Sequence, residues 1–199
     1  MASLKGMKFS AKGIATVITF TVLSLVLSSA VSGIRIPAPY FPFLAYEFTE
    51  IPIIAAFFLF GPKNAVAITL FVGVVLVAIF ASYVAFGGVL ACLSMLLGLY
   101  LGKKFSLNKT KDNGFWSGRR AVLLFTALAC LFRSLNLALW DYAFLRYPIP
   151  LGMGLSESVI LVILPPITLF NLTEPLYVVP LGYLIADRVG FHLKLPKST

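Results

Sequence analysis

Two charged residues stand in apolar surroundings, Arg133 in LACLFRSLNLALWDY and Glu174 in PPITLFNLTEPLYVV. A charge at such a position is costly, and it is kept for function or paired for structure. Their depths can be compared. Arg133 is 14 residues from Arg119, and Glu174 is 14 residues from Arg188. At a helical rise of ~1.5 Å per residue, each lies about 21 Å above its basic marker. Asn136 and Asn171 are each 17 residues from the same markers, about 25 Å up, so they form a second level. Arg133, Asn136 and Trp140 are spaced i, i+3, i+7 and share one helix stripe, while Asn171 and Glu174 are i, i+3 neighbours. One stripe offers a cation, an amide and an indole; the other offers an amide and a carboxylate. Such a set serves as a structural Arg133–Glu174 ion pair or as a pocket for a flat polar ligand. The two readings are compatible.

A second polar group lies in YFPFLAYEFTEIPIIAAFFLFGP, residues 40–62, where Glu47 and Glu50 sit among aromatics before an apolar helix. An interfacial belt accounts for the Tyr residues. Thr49 or Glu50 can cap the helix, whose positive end favours an acid. A belt does not require two acids three residues apart, so these acids are also candidates for work at the site.

Catalytic constellations are missing from the sequence. The one histidine, His192, lies near the end of the chain, so neither HExxH nor a Ser-His-Asp or Cys-His arrangement can be assembled. GxSxG and GxxxxGK[ST] are absent from the sequence as well. The two cysteines, Cys92 and Cys130, lack a neighbouring histidine and read as core residues rather than as a zinc site. The expectation is a protein that is not an enzyme, with no cofactor and no metal of its own.

These side chains must be positioned by membrane-embedded helices. The 199 residues are 60% hydrophobic and only 12% charged, with mean hydropathy +0.98; charged residues make up roughly 25% of a soluble domain. Helices are expected at about 13–34, 51–61, 64–82, 86–102, 119–145 and 155–188. The second is short and broken from the third at Gly61-Pro62, which suits a segment partly inside protein. The expected fold is all-α, an integral membrane protein with six transmembrane helices in one domain over 1–199. The first segment also invites a secretory-signal reading, with Lys5, Lys8 and Lys12 before the apolar run and SSAVSG after it. Its run from Ile14 to Val31 exceeds the ~7–15 residues of a signal core, which favours a retained helix.

Of the 16 Lys and Arg, 13 fall on one side of this arrangement: Lys5, Lys8, Lys12, Lys63, Lys103, Lys104, Lys109, Lys111, Arg119, Arg120, Arg188, Lys194 and Lys197. Both termini are therefore expected in the cytoplasm, in a multi-pass protein of the cell membrane. The net charge of +9 records this topology and contact with anionic lipid, not a nucleic-acid partner. The aromatic segment then lies at the extracytoplasmic mouth.

The pattern of YFPFLAYEFTEIPIIAAFFLFGP resembles the substrate-binding membrane subunits (S components) of energy-coupling factor (ECF) transporters, most of all the riboflavin-specific branch. The similarity continues at ASYVAFGGVLACLSMLLGLYLGKK, FRSLNLALWDY and LFNLTEPLYVVPLGYLIADRV and covers most of the chain. The resemblance implies a six-helix bundle with both termini inside. It also implies capture of a small water-soluble vitamin or related heterocycle. The partners would be a transmembrane coupling subunit and two cytoplasmic ATPase subunits that use the ATP. It further implies that Phe43 and Tyr46 belong to a lid, that Glu47 and Glu50 tie its edge or touch ligand, and that Asn136 and Asn171 match ligand positions. The small residues Ala11 and Ala15 would receive the coupling subunit, since small residues let helices approach closely. The riboflavin branch carries Asn-x-x-Lys in its last helix. This chain has Asn171 but Glu174 in place of the lysine, and the reversed charge argues against riboflavin itself.

Two other classes remain open at this point. A membrane scaffold or assembly subunit would use the buried polar residues only to fix helix packing. A stand-alone secondary carrier would be expected to carry inverted repeats or paired broken helices, and the sequence has no convincing repeat.

Overall fold

The computed structural model of the chain describes residues 11–80, 83–109, 119–148 and 152–192. Lys5, Lys8, Lys111, Lys194 and Lys197 of the charge argument lie outside them. The helices are α1 (Ala11–Leu27), α2 (Ser29–Ser32), α3 (Glu50–Phe60), α4 (Pro62–Phe80), α5 (Tyr83–Lys109), α6 (Arg119–Phe144), α7 (Glu157–Thr173) and α8 (Pro175–His192). Two strands, β1 (Ile36–Ala38) and β2 (Phe41–Tyr46), lie between α2 and α3.

Among the described residues, four helical stretches are long and apolar enough to cross a membrane: Pro62–Ile79, Ala85–Phe105, Ala121–Phe144 and the combined Glu157–His192. Two shorter apolar helices, Gly13–Leu27 and Glu50–Phe60, accompany them. The chain is a mostly helical, multi-pass membrane protein. Three local expectations need correction. The first helix ends at Leu27 rather than near 34, because Ser28 adopts an extended conformation and turns its hydroxyl back to the Leu25 carbonyl. A single turn, α2, follows and closes on Gly33 at φ 68°, a left-handed cap that glycine adopts without a Cβ penalty. The last helix is also not one element. It breaks at Glu174, where Pro175 lacks the N–H needed to continue the ladder.

The third is a β-hairpin within residues 36–46, a stretch that the expected helices of this mostly helical chain leave unassigned. Its antiparallel register pairs Ile36 with Tyr46, Pro37 with Ala45 and Ala38 with Phe41, with an irregularity between Pro37 and Ala38. Pro37, Pro39 and Pro42 cannot donate backbone hydrogen bonds, which limits this sheet to two short strands.

The short α3 forms the centre of the bundle. Its residues Ile51 to Phe57 are all buried, and it packs against α8, α4 and α1. Gly61 at φ 88° and Pro62 at the first position of α4 produce the expected break. Lipid tails are as apolar as these side chains, so close packing rather than hydrophobic transfer holds such helices together. Two glycines provide that closeness. A Cβ on Gly98 of α5 would meet the Leu128 carbonyl oxygen of α6 at 2.6 Å, and one on Gly182 of α8 would meet Ile54 Cγ2 of α3 at 2.7 Å. Backbone at the first position cannot rotate away, so Gly98→Ala is expected to cost roughly 1–3 kcal/mol, measured by thermal unfolding in detergent. Unchanged stability would contradict the close α5–α6 approach.

Candidate functional site

The centre of the polar region is Arg133 on α6, whose side chain is only 5% exposed. Its Nη1 donates to Glu50 Oε2 at the start of α3, and its Nη2 donates to Glu174 Oε2 at the α7–α8 break. Its Nε donates to Asn171 Oδ1 of α7 at 3.2 Å. Asn171 is fixed in turn, since its Nδ2 donates to the Ile167 carbonyl at 3.1 Å. One guanidinium thus ties three elements together through all three of its nitrogens. Breaking the helix at Glu174 places an acid at the point where α7 hands over to α8, against α6.

The expectation of one level for Arg133 and Glu174 corresponds to a direct ion pair. The second level is arranged differently. Asn171 joins Arg133, whereas Asn136 turns to α5 and donates from Nδ2 to Ser94 Oγ at 3.1 Å. Trp140 lies further along α6, stacked on Phe144 with ring centroids 3.9 Å apart, in a separate small cluster with Leu145 and Ile160. The stripe of Arg133, Asn136 and Trp140 therefore serves three neighbourhoods.

Sequence spacing singles out Glu50 but does not pair it with Arg133. Neither it nor Thr49 caps α3 through its side chain: Thr49 makes no capping bond, its hydroxyl donates to Glu47 Oε2 at 3.2 Å, and Glu50 reaches Arg133 instead. The capping expectation is corrected accordingly. Glu47 also accepts from Ser29 Oγ, and its main-chain oxygen accepts from the Tyr177 hydroxyl at 2.6 Å. Glu47 thereby joins α2, the hairpin's exit and α8.

The hairpin closes over α7 through Tyr46. Its ring stacks on Phe170 at 4.9 Å and meets Tyr177 edge-on at 5.9 Å. Its hydroxyl lies 2.8 Å from Thr173 Oγ1 and 2.8 Å from the Tyr40 hydroxyl. Burial raises the Tyr40 phenol above its usual value, with the bond to Thr173 opposing and the bond to Tyr46 adding to the shift. Phe43 is 89% exposed and touches Phe41 with centroids 5.6 Å apart. The two aromatic residues assigned to a lid thus differ sharply in placement.

The effects on stability should differ as well. Tyr46→Ala removes a stacked pair worth ~0.5–1.5 kcal/mol and hydrogen bonds worth about 1 kcal/mol each, so it should destabilise the chain by roughly 2 kcal/mol in thermal unfolding in detergent. Phe43→Ala should stay within about 0.5 kcal/mol of wild type. Equal losses in the two variants would contradict the latch at Tyr46.

On α1, Ala15 is exposed on the outer face, beside Ile14 and Ile18; Ala11 opens the helix, and its side chain lies outside the description. Cys92 and Cys130 are free and buried, and Thr69 Oγ1 lies 3.3 Å from Cys92 Sγ. Among the described residues no group of three His, Cys, Asp or Glu could hold a metal ion. An open apolar groove of about 460 Å³ runs along α4 past Val66, Leu70 and Val74, separate from the Arg133 network.

The sequence matches no family model and none of the curated proteins. In fold, however, the chain is similar to a solved S component of a bacterial ECF transporter. The TM-score is 0.68, covering 92% of this chain and 98% of the other, at 21% sequence identity. The fold is therefore that of an ECF S component.

Proposed function

We propose that this chain is the substrate-capture subunit of an ECF-type importer. It binds a small water-soluble vitamin or related heterocycle beneath the hairpin, at a site drawn from Phe43, Tyr46, Glu47, Arg133, Asn136, Trp140, Asn171 and Glu174, with Glu50 added. The observation that carries this reading is the S-component fold, matched nearly end to end. In support, the hairpin docks through Tyr46 on Phe170 and Thr173, the residues next to Asn171 and Glu174 of the polar network.

The chain forms one domain that crosses the cell membrane six times with both termini in the cytoplasm. Movement of the substrate depends on a transmembrane coupling subunit, received at Ala11 and Ala15, and on two ATPase subunits that supply the ATP. Expressed in a vitamin-auxotrophic bacterial host that provides those subunits, the chain should restore uptake of one labelled vitamin. The same host without them should show no uptake. Uptake driven by the chain alone, or rescue by no water-soluble vitamin, would overturn the proposal.

A further inference from the structure

The Arg133 network is unbalanced. Glu50 and Glu174 set two carboxylates against one guanidinium, with side chains 12%, 7% and 5% exposed. Among the described residues no second cation bonds either acid. With both acids ionised, the network holds one surplus negative charge at a buried position, where an uncompensated charge is strongly disfavoured. Asn171 adds no positive charge, and its carbonyl already accepts from Arg133.

Aromatic faces gather at the same end of α7. Phe170, adjacent to Asn171, is stacked by Tyr46, and Tyr177 meets both Tyr46 and Phe48 edge-on, the latter at 6.3 Å. Thr173, which holds the Tyr46 hydroxyl, is adjacent to Glu174. Electron-rich ring faces next to surplus carboxylate are the ingredients of organic-cation recognition. An anionic ligand would meet like charge there, and a neutral ring would leave the surplus to be balanced by a proton.

On this charge count, and resting on the capture reading, we propose that the site selects a small organic cation, a flat ring carrying a permanently charged or protonated nitrogen. Glu50 and Glu174 are the groups that choose it for its charge. Arg133 holds the two acids apart and in place.

The test uses three matched probes, 1-methylnicotinamide (cationic), nicotinamide (neutral) and nicotinate (anionic). Each is titrated calorimetrically into the full chain in detergent. The cationic probe is expected to bind at least tenfold more tightly than the other two, and Glu50→Gln is expected to remove that preference. If Glu50→Gln does not fold, Glu174→Gln takes its place, and the wild-type preference is decisive without either. Equal affinities for the cationic and neutral probes would mean that a proton balances the network, and would overturn the proposal, as would failure of the cationic probe to bind. Release of a neutral heterocycle from gently purified protein would overturn the charge assignment while leaving the capture reading intact. A chain that is always empty and binds none of the probes would overturn both.

Discussion

Arg133→Gln is expected to be the most damaging single substitution in the polar region, lowering unfolding stability by roughly 3–5 kcal/mol. The reason is an asymmetry in the network. Arg133 is the sole cation between Glu50 and Glu174 among the described residues, so its removal strands two buried carboxylates at once. It also takes away the donor to Asn171 and loosens α3, α6 and α7 from one another together. Thermal unfolding in detergent measures the loss. A change below about 1 kcal/mol would mean that water or protons already satisfy the acids, and that the network does not hold the helices.

Glu174→Gln should behave in the opposite way. It leaves Arg133 paired with Glu50, one charge against one, so the fold should survive. If a ligand compensates the second carboxylate, binding of the native substrate should weaken by more than about 1.4 kcal/mol, a factor of ten. Loss of stability with unchanged affinity would instead make Glu174 a structural partner alone, as expected of a scaffold. The double variant Arg133→Gln with Glu174→Gln still strands Glu50, so its stability should stay below wild type; wild-type affinity in that variant would remove Glu174 from the site.

Counting along helices brought Arg133 and Glu174 to one level because both helices run from a basic end and rise by a fixed amount per residue. The ion pair agrees with that geometry. Asn136 shared the same stripe by spacing, but a stripe on a helix is wide enough to face two neighbours. Which neighbour receives a side chain depends on crossing angles that spacing does not contain, and here α5 offers Ser94. Glu50 was harder to place, since it is 83 residues from its partner Arg133. Its position follows from the way the buried α3 threads between α1, α4 and α8. The short length and apolar character of α3 were legible, as was its break at Gly61-Pro62.

The hairpin's segment is legible as an aromatic stretch and, through the resemblance, as a lid, but not as paired strands. Three prolines in residues 37–42 argue locally against strand, and the pairing depends on an irregular register and on Tyr46 docking against α7. The serines at 28 and 29 ended α1 early by bonding to nearby groups, the Leu25 carbonyl and Glu47, a competition with the helix ladder that hydropathy does not register. Glu174 at the α7–α8 break was foreseeable from Pro175, whereas Pro165 and Pro166 lie within α7 without ending it.

Native mass spectrometry of the chain, released from mild detergent after gentle purification, tests the capture reading most directly. The expected result is a mass increment of one heterocyclic molecule per chain, lost in Tyr46→Ala and in Glu174→Gln while both variants remain folded. A chain that is consistently empty, from hosts grown with every water-soluble vitamin, would contradict substrate capture and favour a scaffold.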